Sequence, residues 1–261
     1  MNLVKRFMTN NPCYTNNVHQ ADTRYSTFQA RGPRGLMLHS IGCPQPRASV
    51  FFDTWNKASY TNACVHAFID GNDGTVYQAL PWHYRGWHCA GEANNTHVGV
   101  EMCEPACIKY TSGSNFTCSD YQQARAVASR TYNSAVELFA MLCEEYMLDP
   151  LGDGVIISHK EGHTRGVASN HGDPEHLWTQ LGLPYTMDTF RKAVKAKMDE
   201  SKKPALDNKP ADWSKDAVNW ALENRLLQGN EKGDLMLRSP ITREQFCVVL
   251  KRYHDMIAAE N

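Results

Sequence analysis

The stretch IISHKEGHTRGVASNHGDPEHLW, Ile156 to Trp178, constrains this chain more than any other. It carries four of the eleven histidines and an aspartate, Asp173, directly before a proline. The apolar run Val155 to Ile157 reads as the end of a buried strand. After His159 the composition turns to Gly, Ser, Asn and charge, which predicts a long polar loop. A strand that ends in a histidine, followed by such a loop, can aim several metal ligands at one point.

Two other stretches have the same form. Gly35 to Ile41, GLMLHSI, reads as a buried strand with His39 at its mouth, and His97 to Glu101, HVGVE, as a strand ending in a carboxylate. Ala63–Asp70 and Thr75–Leu80 flank Gly71-Asn72-Asp73-Gly74, a hairpin signal. Residues 1–34 read as an irregular surface arm. Helices are predicted over Pro46–Asn56, over Ser119–Met147 with Ser119 and Gln122 as a capping box, and over Met187–Glu200. Strands separated by helices make residues 1–200 a mixed α/β domain with a central sheet flanked by helices.

Residues 201–211, rich in Lys and Pro, read as a linker. Beyond it, residues 212–261 form a helix–loop–helix. Its first helix would be capped by Ser214, with Trp213 and Val218 as a hydrophobic staple, and its second opened by a Thr242–Gln245 capping box. About fifty residues make a marginal independent core, so this module is expected to dock or to self-associate.

Composition narrows the partners. A net charge of −1 gives no electrostatic argument for nucleic acid. No apolar run approaches the ~18 residues of a membrane span, and the N-terminus carries no secretory core. Synthesis in a cytoplasm is expected, with the nine cysteines mostly reduced. The close spacing of Cys103 and Cys107 leaves a bridge between them open.

A catalytic zinc needs three N or O ligands and one open position. His39, His159 and Asp173 meet that need, with His171 as the alternative third ligand, and Glu101 at a third strand end could take a proton from water. The blocks GLMLHSIG, VHAFID-x-x-DGTVYQ, GWHCAG, HVGVE and SHKEGH…HGDPEHLW follow one another as in N-acetylmuramoyl-L-alanine amidases, which the chain resembles over roughly residues 30–200. These zinc enzymes are related to phage lysozyme-like amidases and peptidoglycan recognition proteins. The resemblance implies a Zn2+ held by His39, His159 and Asp173 and a water-activating Glu101. It also implies cleavage of the amide between N-acetylmuramic acid and L-alanine in bacterial peptidoglycan. His171 stands where many relatives have an oxyanion-stabilising lysine, and His66 where many have a catalytic tyrosine. Trp82, Tyr84, Trp87 and His88 are candidates to line the substrate groove. A muropeptide-binding protein without catalysis is the rival reading.

The segment from Asp212 to Phe246 resembles a single S-layer-homology motif. That implies anchoring to wall-linked polysaccharide or, with one copy per chain, assembly into a homo-oligomer. A wall-directed tail without an export signal suggests a phage endolysin, made in the host cytoplasm and acting on the wall after release. A bacterial autolysin is the alternative.

Overall fold

The computed structural model describes residues 1–15, 32–201 and 207–260. The chain divides into two compact units, Met1–Glu200 and Ser201–Asn261.

The first unit contains β1 (Leu3–Lys5), β2 (Gly35–Ser40), β3 (Ala67–Ile69), β4 (Val76–Gln78), β5 (His97–Met102), β6 (Ile108–Ser112), β7 (Asn115–Cys118) and β8 (Ile156–Ser158). Its helices are α1 (Pro12–Thr15), α2 (Ser49–Trp55), α3 (Tyr121–Glu145), α4 (His159–Thr164), α5 (Glu175–Gln180) and α6 (Met187–Ser201). Six strands form one sheet in the order β1-β4-β3-β5-β2-β8, while β6 and β7 make a separate hairpin. Within the six-stranded sheet, among the described residues, only the β3–β4 pair is antiparallel; the β6–β7 hairpin is antiparallel as well. The β3–β4 pair is the expected hairpin; its turn uses the Asp70 carboxylate, which accepts from Asn72 N at 2.8 Å, and Gly74 at φ +78°.

Alternation along the strands sends successive side chains to opposite faces. Leu36 and Leu38, Val98, Val100 and Met102, and Ile156 join one core with Phe139 of α3 and Phe190 of α6. On the other face Phe68 stacks on Phe51 of α2 with ring centroids 5.1 Å apart. Burying each such side chain contributes about 1.5–3 kcal/mol, so α3, α6 and α2 are held on the sheet mainly by their apolar stripes. The next residues along the strands, His39 and Glu101, fall on the face opposite the α3 core, at the ends of parallel neighbours.

Several local expectations are corrected. Leu3–Lys5 is not part of an irregular arm but pairs parallel with β4 as an edge strand; residues 16–31 lie outside the described residues. Helix α3 is capped by Asp120, whose carboxylate accepts from Gln123 N, while Ser119 Oγ donates to Cys107 O instead. The polar stretch after His159 opens as a helix, not a loop: Ser158 and Glu161 form a capping box at the start of α4. All nine cysteines are free thiols. Cys103 is buried in the second core, and Cys107 lies instead beside Cys118.

In the second unit, a 3₁₀ turn at Asp212–Ser214 leads into α7 (Lys215–Glu223), and α8 (Arg243–Glu260) follows a turn-rich segment. Thr242 and Gln245 form the reciprocal capping box, with bonds of 2.8 and 3.1 Å. Ser214 occupies the cap position of α7, but its hydroxyl donates to Ala211 O and caps nothing. Part of the expected linker is built into this unit: Asp207 N donates to Asp234 Oδ1 at 2.9 Å, and Asn208 Oδ1 accepts from Leu235 N at 2.7 Å.

Candidate metal centre

Parallel pairing explains why distant residues meet. His39 is registered opposite Glu101, and Leu38 opposite Ser158, so His159 begins its helix beside the end of β2. The carboxyl ends of parallel strands form the edge where α/β sheets place their ligands. Asp173 is tied to the same edge: Ser40 N donates to its Oδ2 at 3.4 Å, and its own carbonyl accepts from Lys160 N at 3.3 Å.

His39 Nδ1 lies 3.1 Å from His159 Nδ1 and 3.2 Å from Asp173 Oδ2, and His159 Nδ1 lies 3.5 Å from Asp173 Oδ1. Ligand bonds of about 2.0–2.1 Å to a tetrahedral ion would place neighbouring ligand atoms ~3.3 Å apart. The three side chains are buried, and together they could hold a metal ion. Burial alone would raise the Asp173 carboxyl, but the His159 and His39 rings beside it outweigh that and hold it well below the usual carboxylate range. Burial lowers His39 and favours the neutral ring that a ligand needs.

A cavity of about 620 Å3 opens over this group, lined by Trp87, His88, Glu101, Tyr110 and His171 among others. Glu101 is 9% exposed, and its Oε2 has no hydrogen-bond partner. Burial, with the charges of Asp173 and Glu104 added, pushes its carboxyl well above the usual range. A buried carboxyl in the wall of a cavity, with one oxygen left without a partner, is suited to proton exchange with something placed there. His171 is exposed at the rim, its Nδ1 3.0 Å from Ser169 Oγ, which also lies 3.1 Å from His159 Nε2. It stands outside the three-residue ligand group, so among the two candidates for third ligand the geometry brings in Asp173.

The remaining expected residues divide. Trp87 and His88 line the cavity, whereas Trp82 is buried in the main core and Tyr84 packs on Tyr14, ring centroids 5.5 Å apart. His66 does not fit an oxyanion role. Gly99 N donates to its Nδ1 at 3.0 Å and its Nε2 donates to Tyr84 O at 2.7 Å, so both ring nitrogens serve the backbone. Burial drives its pKa down to about 4, and the ring is a neutral strut under the aromatic loop.

One cluster escaped sequence reasoning. Tyr110 OH donates to Glu104 Oε2 at 2.8 Å and lies 2.7 Å from His176 Nε2, at the cavity wall. Burial pushes the Glu104 carboxyl up to about 7. The signal available was the Ser-Gly-Ser turn of the β6–β7 hairpin at 112–114, flanked by alternating residues.

Fold and site thus define a mixed α/β protein with a buried His-His-Asp group, able to hold a metal ion, at the carboxyl edge of its parallel strands. The model of the N-acetylmuramoyl-L-alanine amidase family matches residues 29–176, more than half of the chain, and the chain belongs to that family. No curated protein matches it. Among solved structures, the Staphylococcus aureus hydrolase AmiA in complex with its ligand aligns at 20% identity, covering 76% of this chain and 83% of that one, with a TM-score of 0.54. That likeness is one of fold. A mutant endolysin from Bacillus subtilis aligns at 18% identity over 74% of this chain and 99% of its own, with a TM-score of 0.45. No helix among the described residues is long and apolar enough to cross a membrane.

Proposed function

We propose that this chain hydrolyses the amide joining the lactyl group of N-acetylmuramic acid to L-alanine in peptidoglycan, using a zinc ion held by His39, His159 and Asp173. The observation that carries the reading is the convergence of those three side chains, with the two Nδ1 atoms 3.1 Å apart and each within 3.5 Å of one of the Asp173 carboxylate oxygens, within a chain of the amidase family. Two imidazole nitrogens and one carboxylate oxygen make a donor set suited to zinc. When bound, zinc polarises a carbonyl and lowers the pKa of water to about 7.

The chain's own residues do the rest. Glu101 accepts the proton of the attacking water on its idle oxygen and returns it to the leaving amine of L-alanine. His171, at the rim, donates to the oxyanion as the carbonyl becomes tetrahedral; such a donor is worth roughly 100-fold or more in rate. Trp87 offers an apolar wall for sugar or stem peptide.

Digestion of purified peptidoglycan with and without chelator tests this, read by mass spectrometry. Free L-alanine amino termini with intact sugars are expected, and only without chelator. Cleavage inside the stem would make the chain a peptidase, and near-zero metal content with no turnover a muropeptide binder. Glu101→Ala is expected to keep its zinc and lose ~100-fold or more in kcat; full activity would remove Glu101 from the mechanism.

For the second unit we propose self-association. Trp220, Phe246, Leu250, Tyr253 and Ile257 of α7 and α8 are 40–52% exposed, an amount of open apolar surface that favours a second copy. Attachment to wall-linked polysaccharide is the accompanying expectation from the S-layer-homology resemblance. Light scattering across a concentration series decides the first, and pull-down on purified walls the second. The endolysin reading belongs to the same proposal: expression together with a membrane-permeabilising protein lyses a culture, and expression alone does not.

A further inference from the structure

His88 does more than face the cavity. Its Nδ1 lies 3.0 Å from His39 Nε2, and its Nε2 lies 3.1 Å from the carbonyl of His97. A carbonyl can only accept, so His88 Nε2 is the donor there. A neutral imidazole has one N–H, which leaves His88 Nδ1 as the acceptor and makes His39 Nε2 the donor to it. The Nδ1 of His39 then carries its lone pair toward His159 and Asp173. The protonation pattern of His39 follows from a backbone carbonyl two rings away.

The surroundings are shaped for this relay. A Cβ on Gly99 would come within 2.4 Å of the His88 ring, so the strand residue beneath that ring has no side chain. His88 N donates to Asn94 Oδ1 at 2.8 Å, fixing the loop that delivers the ring. The rings of His39 and His88 meet edge to face, with centroids 5.1 Å apart. At the far end, His97 is itself anchored by a bond from its Nε2 to Gly154 O at 2.9 Å.

We infer that His88 is a positioning residue for His39, a neutral ring that relays the His97 carbonyl and keeps the His39 Nδ1 lone pair aimed at the metal centre. Partners of this kind typically contribute 10–100-fold to metal affinity. The inference rests on the proposed zinc site, but its first readout does not need the metal.

The experiment is histidine-selective 15N NMR on the full chain after chelator treatment, followed by calorimetric titration with zinc. In the metal-free wild type, His39 is expected as the Nε2–H tautomer; the Nδ1–H tautomer would overturn the relay whether or not the chain is an amidase. For zinc, His88→Leu is expected to weaken binding ~10–100-fold. His88→Asn, whose Oδ1 replaces the accepting nitrogen, should restore affinity to within a few-fold. Equal affinity in all three proteins, or equal losses in both variants, would overturn it. A wild type that binds no zinc but shows the expected tautomer would instead remove the proposed function.

Discussion

Trp178 and Trp213 mark the two extremes of this chain: the first is 0% exposed, the second 90%. Trp178 packs edge-on against Tyr132 at 5.6 Å within the main core of the first unit. Trp213 sits at the entrance to α7, in a unit whose buried apolar residues, among those described, come down to Leu226 at 5%. The first unit closes a sheet between helices and keeps enough rigid interior to hold charged groups out of water. The second has two helices, one of them opened by a capping box, but almost no inside among its described residues. Secondary structure needs only local signals, whereas a buried polar site needs a core that can bear its cost.

The sharpest way to break this comparison is to attack the site that the core supports. His159→Ala removes one of three ligand atoms and is expected to abolish both stoichiometric zinc and turnover. Metal analysis after dialysis checks the first, and wall digestion the second. Retained zinc would show that the convergence of parallel strand ends is not the metal centre. Next in size is Trp178→Ala. It empties a large buried volume and should cost about 3–5 kcal/mol, read from denaturant unfolding. Because the indole Nε1 has no hydrogen-bond partner, removing it relieves an unmet donor, and the lower end of that range is expected.

Buried ionisable groups give a third test. The Glu104 carboxyl is raised from 4.5 to about 7 by burial, so between these values the native state holds a proton that the unfolded chain has released. Its contribution therefore falls as pH rises through that window. His66 and His97, lowered by burial from 6.5 to about 4, work in the opposite sense: the unfolded chain binds more protons there, and stability rises with pH. The trends overlap and offset in the wild type. Glu104→Gln removes only one of them. Relative to the wild type, the variant should gain about 3 kcal/mol between pH 4 and pH 8; a difference independent of pH would show that Glu104 is not buried as described.

How much of this was legible depended on whether the signal was local. The β2 and β5 strands read correctly because their apolar runs are continuous, as expected of strands covered on both faces. His39, His159 and Asp173 could be brought together because each sits at or beyond a strand end, and parallel strands finish at one edge. The α4 helix was present in the sequence as Ser158-x-x-Glu161, but the Gly, Ser and Asn that follow masked it. At α3, Ser119 and Asp120 are adjacent candidate caps, and only tertiary contacts select between them: Ser119 is drawn to Cys107 O. The roles of His66 and His88 were not legible. Both depend on which backbone carbonyl lies nearest each ring, a long-range outcome of how the aromatic loop crosses β5.

The smallest expected effect returns to Trp213. Because Trp213 is 90% exposed, Trp213→Ala should change the unfolding free energy of dilute chains by no more than about 0.5 kcal/mol. If a second copy covers this face, the same substitution must act at higher concentration, where burial of the indole would be lost on association. Light scattering should then show a lower average mass for the variant than for the wild type at matched concentrations, with the two converging on dilution. Identical masses throughout, together with an unchanged unfolding midpoint, would mean that this tryptophan contributes neither to a core nor to an interface between copies. The contact between copies would then have to be sought on the stripe of α8 that carries Phe246, Leu250 and Tyr253.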